Sequence, residues 1–189
     1  SSARVKAYLE NAQSLYEIHA PQMLPKAYAT LAAYADRLYT SLAARLESNE
    51  WRATLELRRG KEKDLASFLA QKKALDEKEK QSKQKLSRED RIQLKECERH
   101  IELLERECAI DRKTTSRQEA DRDTFLSKAV EAYAACLKHG GGIGFSKAAG
   151  RLIALWLAAQ SIGGVARVET NACIKANIDH IPPRFFLSL

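Results

Sequence analysis

Leu94-Lys-Glu-Cys97-Glu-Arg-His-Ile101-Glu-Leu-Leu104-Glu-Arg-Glu-Cys108 is the stretch that decides the fold. Its apolar positions Leu94, Cys97, Ile101, Leu104 and Cys108 alternate steps of three and four residues, and nearly everything between them is charged or polar. A half-buried strand would alternate with period two; this spacing instead predicts a helix with a short heptad seam. The two thiols read as small buried hydrophobes within that seam. A seam needs a facing helix, and the preceding segment supplies one. Trp51, Leu55, Leu65, Phe68, Leu69 and Leu75 predict a long helix before it. The two together predict a long antiparallel coiled-coil-like hairpin.

The ends of this hairpin carry local signals. Ser48-Asn49-Glu50 offers a helix cap, because a serine oxygen can accept one of the amides left unbonded in a first turn. Gly60 weakens the first helix by roughly 1 kcal/mol relative to alanine, which is too little to end it. Ser87-Arg-Glu-Asp90 reads as a capping-box-like start for the second helix, with Asp90 reaching back. Between them, Lys78-Glu-Lys80-Gln-Ser-Lys83-Gln-Lys85 loses the apolar stripe and is the densest basic run, as expected of a solvated tip.

Upstream, Val5, Tyr8, Leu9, Ala12, Leu15, Tyr16 and Ile18 predict an amphipathic helix over 3–19, broken at Ala20-Pro21-Gln22. A second helix is expected from about Leu24 to Leu46, with Pro25 tolerated in its first turn. Ala27, Ala29, Ala32, Ala33 and Ala35 are interleaved there with Tyr28, Leu31, Tyr34, Leu38 and Tyr39. Small residues beside aromatics allow close helix approach, the texture of tetratricopeptide/HEAT-like helical-repeat hairpins, although no strict repeat recurs. Downstream, Phe125, Ala129, Ala132 and Cys136, backed by Leu126, Val130 and Tyr133, extend the helix that starts at Ser87 to Lys138. A kink near Lys113-Thr114-Thr115 is allowed by its polar character. His139-Gly140-Gly141-Gly142-Ile143-Gly144 ends it; Phe145–Ala159 forms a strong helix and Val165–Ala176 a weaker one. No strand signal emerges and the class is all-α. The expected organisation is a helical hairpin over 1–47, the long charged hairpin over 48–138 and closing helices over 145–189.

Composition agrees with long, one-sided helices: 44% hydrophobic and 30% charged, with Gly 8 and Pro 4. The net charge of +7 points to an acidic partner. Lys and Arg nevertheless alternate with Asp and Glu through residues 50–125, so much of the field cancels locally, and direct DNA binding by this segment is not expected. Cys97, Cys108, Cys136 and Cys173 lack zinc-ribbon or redox spacing, and a reducing compartment, nucleus or cytosol, is the expectation. The chain opens directly on helix pattern without a signal peptide. The apolar run Leu152–Ala159 falls far short of the ~20 residues of a membrane span, so no membrane partner is expected. Phe185-Phe186-Leu187-Ser188-Leu189 reads as cut from something longer.

Motifs that carry chemistry fail on context. Gly140–Gly144 follows a helix rather than a strand and lacks the Gly-Lys-Ser/Thr ending of a phosphate loop. Asp121-Arg122-Asp123 sits inside a helical pattern, without the downstream asparagine and separate magnesium aspartate of a kinase catalytic loop. His19, His100, His139 and His180 lie far apart on different elements, with no metal-ligand spacing. No serine lies in a nucleophile elbow. Catalytic, cofactor-binding and metal-ligating residues are therefore expected to be absent from this chain.

Four blocks carry a resemblance: Lys26-Ala-Tyr-Ala-Thr-Leu-Ala-Ala-Tyr-Ala-Asp36, the long charged hairpin, Phe125-Leu-Ser-Lys-Ala-Val-Glu-Ala-Tyr133 with Cys136-Leu137, and Arg151-Leu-Ile-Ala-Leu-Trp-Leu157. Ile181-Pro182 with Phe185 closes the set. Together they resemble the C-terminal part of the FAT domain of phosphatidylinositol-3-kinase-related protein kinases, in particular the ataxia-telangiectasia-mutated (ATM) branch. The Gly140–Gly144 loop and the Lys78–Lys85 stretch depart from that pattern and look like insertions. The resemblance implies a slice of a very large nuclear serine/threonine kinase that senses DNA double-strand breaks and supports telomere maintenance. ATP and magnesium would belong to the parent's kinase domain, C-terminal to this segment. The implied partners are that kinase domain, a second protomer and a break-sensing activator complex, with the FAT helices clamping the kinase. On this basis Trp51, Phe125, Tyr133, Arg151, Leu155, Trp156, Pro182 and Phe185 are structural or interface candidates. Trp156 is expected to be buried between helices, and Arg151 to pair with a carboxylate or cap carbonyl groups. The residues by themselves also allow a standalone coiled-coil scaffold whose basic tip contacts nucleic acid.

Overall fold

A computed structural model describes Ala7, Asn11, Ser14, Leu15 and residues 17–82, 86–140 and 145–185. Among these the structure is all-α and contains no strand. After a 3-10 turn over Pro21–Met23 come α1 (Leu24–Glu47), α2 (Asn49–Ser82), α3 (Arg88–His139), α4 (Phe145–Ile162) and α5 (Gly164–Ala176). Two further 3-10 turns, Ile178–His180 and Pro183–Phe185, follow. The chain divides into two compact units, one of Ser1–Ala44 with Ala120–Leu189 and one of Arg45–Glu119.

The Arg45–Glu119 unit is a helical hairpin with both helix starts capped by serine. Ser48 Oγ accepts the Trp51 amide at 3.1 Å while its hydroxyl donates to the Arg45 carbonyl at 2.7 Å, so one side chain closes α1 and opens α2. Ser87 Oγ accepts the Asp90 amide at 3.0 Å. Hydrogen bonds from Lys78 and from Ser87, hydroxyl and backbone, hold the Asp90 carboxyl below its usual range. The capping box is thus formed in both directions. Gly60 lies inside α2 without ending it, and α3 is helical throughout, Lys113-Thr114-Thr115 included.

Cross-pairs set the antiparallel register. Lys61 meets Glu107 and Asp111, each at 3.0 Å; Lys72 meets Glu98 at 3.1 Å; Lys78 meets Asp90 at 2.7 Å. The Phe68 ring stacks on His100 at 4.7 Å, and Cys97 Sγ lies 3.7 Å from Gln71 Oε1. Partner numbers fall along α3 as they rise along α2, which is the antiparallel arrangement. Exposed pairs of this kind contribute at most about 1 kcal/mol each, so their role is alignment. The seam itself is apolar: Cys97 and Cys108 are each 2% exposed, deeper than Ile101, while Leu94 and Leu104 are half-buried. Small side chains take the innermost positions where two helix backbones approach. Trp51, Leu75 and Leu86 are also buried in this unit.

The other unit packs α1, the C-terminal part of α3, α4 and α5 around one apolar core. Leu126 and Val130 from α3, Leu152 and Leu155 from α4, Tyr28 from α1 and Ile174 from α5 belong to it. Every one of these helices contributes a fully buried alanine: Ala32, Ala129, Ala149 and Ala166. Of the small residues interleaved with aromatics on α1, Ala32 and Ala35 are buried alongside Tyr28, whereas Ala29 and Ala33 are exposed. Leu15 and Ile18, assigned to the apolar stripe of the first helix, are instead exposed, because nothing among the described residues covers them. Val5, Tyr8, Leu9, Ala12 and Tyr16 of that stripe lie outside the described residues, as do Gly141–Gly144 of the glycine loop. α4 runs to Ile162, beyond the expected end at Ala159, and meets α5 through Gly163 (φ 76°) and Gly164 (φ 56°). Two consecutive positive φ values turn the chain sharply, and only glycine takes them without strain.

Candidate functional site

The polar centre of the Ser1–Ala44 and Ala120–Leu189 unit is Asp36. It follows Leu24, Tyr28, Ala32 and Ala35 on the inward stripe of α1 and is itself 8% exposed. A carboxylate taken that far from water needs strong partners. Arg151, from the first half of α4, supplies them as a fork: Nε to Oδ2 and Nη2 to Oδ1, each at 2.6 Å. Tyr133, on α3, donates its hydroxyl to Oδ2 at 3.1 Å. Thr40, one turn on along α1, donates to Oδ1 at 3.3 Å and accepts from Arg151 Nη2 at the same distance. One carboxylate thereby ties three helices together.

The electrostatics follow from this geometry. Burial pushes the Asp36 carboxyl up, but the hydrogen bonds and charge of Arg151, then Tyr133 and Thr40, outweigh it and hold the group below its usual range. Burial, followed by the charge of Asp36, pushes the Tyr133 phenol up to about 12. The hydrogen bond to Asp36 raises Arg151 further. At neutral pH the Asp36 carboxyl is therefore held charged and the Tyr133 phenol held protonated. The arrangement is a clasp between three helices, in which removing one side of the ion pair would strand the other charge.

The expected site residues separate in space. Tyr133 and Arg151 meet at Asp36, and Leu155, 1% exposed, belongs to the core beside them. Trp51 is buried in the other unit. Phe125 is half-buried, and Pro182, half-buried, follows the buried Ile181. Phe185 ends the last 3-10 turn, its side chain lying outside the described residues. Trp156, expected to be buried between helices, packs against the core only in part, and its indole N–H donates to Asn171 Oδ1 of α5 at 2.7 Å. An indole N–H needs an acceptor, which keeps one edge of the ring at the polar rim between the helices. Arg151 pairs with a carboxylate, as expected, although Asp36 was not singled out as that carboxylate. The signal was an acid four residues after Ala32 on an alanine–tyrosine stripe.

Other polar features are local. Ser127 donates to Glu169 at 2.6 Å, linking α3 to α5. The cysteines are free thiols. Among the described residues no group of three or more His, Cys, Asp or Glu could hold a metal ion, and no helix is long and apolar enough to cross a membrane. At the hairpin tip Lys78 is paired with Asp90, while Lys83, Gln84 and Lys85 lie outside the described residues.

No protein-family model matches the chain, and no solved structure matches it. Over 110 residues, 58% of the chain, it is 36% identical to the serine/threonine-protein kinase ATM of Arabidopsis thaliana. The match covers 2% of that protein's length. The chain is thus similar to one short segment of an ATM-type serine/threonine-protein kinase.

Proposed function

We propose that the chain is a regulatory scaffold segment of a large ATM-type kinase: the C-terminal part of its FAT domain, clamping the kinase domain and contributing to dimer contact or autoinhibition. The observation that carries this proposal is the 36% identity over 110 residues to ATM of Arabidopsis thaliana. The geometry supports a mechanical role. The clasp at Asp36 holds its ionisable groups away from neutral pH, and the α2–α3 hairpin is a register-locked lever. A stiff element of this kind can bias a two-state neighbour, the physical requirement for restraint and release. ATP and magnesium are then bound by the parent's kinase domain, activation comes through a break-sensing complex, and the protein works in the nucleus on DNA double-strand breaks and telomeres.

The test is charge reversal in the full-length kinase at Lys61 and Arg112, which pair with Glu107, Asp111 and Glu62 across the hairpin. Lys61→Glu with Arg112→Glu is expected to raise basal kinase activity in the absence of DNA breaks, or to shift the dimer equilibrium. Unchanged basal activity together with unchanged dimerisation disposes of the clamp.

A further inference from the structure

Gly150 stands in the interior of α4, where alanine would hold a helix better because glycine gives up more backbone freedom. Packing does not require it: a Cβ built there meets no atom within 4 Å. The missing side chain instead leaves open a cleft of about 680 Å³, which Gly150 lines together with Ala33, Asp36, Arg37, Lys147 and Arg151. Gly150 and Ala33, both exposed, add apolar surface to its lining, and Thr40, Ser41 and Ser146 add hydroxyl groups.

The charge balance around the cleft is one-sided. Asp36 is the one acid lining the cleft, and the Arg151 fork already neutralises it. Arg37 and Lys147 are exposed, and among the described residues neither makes an ion pair. Two uncompensated cations therefore flank an opening whose lining is in part apolar. Nucleic acid would call for a longer basic track making several phosphate contacts. An open cleft with a small apolar patch in its lining and two flanking cations suits an extended polypeptide that presents one apolar side chain between carboxylates.

We propose that this cleft docks an acidic peptide segment, its apolar side chain seated over Gly150 and Ala33 and its carboxylates meeting Arg37 and Lys147. The docking rests on the cleft alone and does not depend on the parent being a kinase.

Fluorescence anisotropy with the 189-residue chain and a labelled peptide carrying one leucine between two glutamate pairs tests it. Saturable binding is expected. Affinity should fall at least tenfold in the Arg37→Glu/Lys147→Glu variant and in Gly150→Leu, while Gly150→Ala binds within twofold of the unaltered chain. Circular dichroism checks that each variant stays helical, and the two exposed charge reversals keep the test decisive even if Gly150→Leu misfolds. Absence of saturable binding overturns the proposal, as does affinity unmoved by the charge reversals. Equal binding of an all-glutamate peptide, or tighter binding of a charge-matched single-stranded DNA, overturns it too.

Discussion

Arg151→Met keeps most of the aliphatic stem and removes the guanidinium that makes two 2.6 Å bonds to Asp36. Breaking one side of a fully buried ion pair costs about 3–5 kcal/mol, because the remaining charge is left without a counter-ion. Here the Arg151 side chain is 40% exposed and that of Asp36 11%, so water reaches the site from one side. Tyr133 and Thr40 also remain as donors. The expected loss is therefore about 2 kcal/mol, between the buried and exposed limits. At about 2–4 °C per kcal/mol for a chain of this size, the melting temperature falls by roughly 4–8 °C. Thermal and urea denaturation followed by circular dichroism reads both quantities.

The pH dependence separates this cause from a general packing loss. In the native chain Asp36 titrates below its ordinary value of 3.8, so its stabilisation is present above that pH and is lost as pH falls through the lowered value. Without Arg151, burial acts with far less opposition and raises the carboxyl, so acidification relieves the variant by neutralising the stranded charge. The stability gap between the two proteins should narrow between about pH 7 and about pH 3. Asp36→Leu combined with Arg151→Met, which removes both charges, should recover much of the loss. A neutral-pH gap under about 0.5 kcal/mol, or one that does not narrow on acidification, refutes the clasp as the source.

Two further outcomes can be measured on the same chain. Tyr133→Phe removes the hydroxyl bond to Asp36 and should cost about 1 kcal/mol. In the native chain this phenol, pushed up to about 12, contributes stability that is intact below its ordinary value of 10.0 and lost as pH rises through the higher value. An ultraviolet titration in which all six tyrosines ionise together near the ordinary value contradicts this. Gly163→Ala forces a side chain onto φ 76°, ψ −157°, a region open almost only to glycine. It should cost about 1–3 kcal/mol in a thermal melt; a neutral result removes the strain argument for the α4–α5 turn.

Features governed by near neighbours in the sequence were legible. Ser48 and Ser87 cap their helices through bonds only three residues long. The hairpin was also legible, because its seam repeats inside one helix and the facing segment directly precedes it in the chain. Trp156 was legible only in part: it packs against the core as its apolar context suggests, but the acceptor for its N–H, which holds one edge at the rim, sits on α5, fifteen residues further on. Leu15 and Ile18 obey helical spacing and still face outward, since periodicity says which residues share a face and not whether anything covers it.

The sequence by itself determined the all-α class, the helix starts and the antiparallel hairpin, because capping and amphipathic periodicity act within a few residues. Only the tertiary structure decided that Arg151 clasps Asp36, 115 residues away, and that Tyr133 joins them from a third helix, 97 residues from Asp36. Which charges meet depends on how helices cross. Crossing is set by the fit of small residues such as Ala32, Ala129 and Ala149 at the contacts, a packing property that no spacing within one helix encodes.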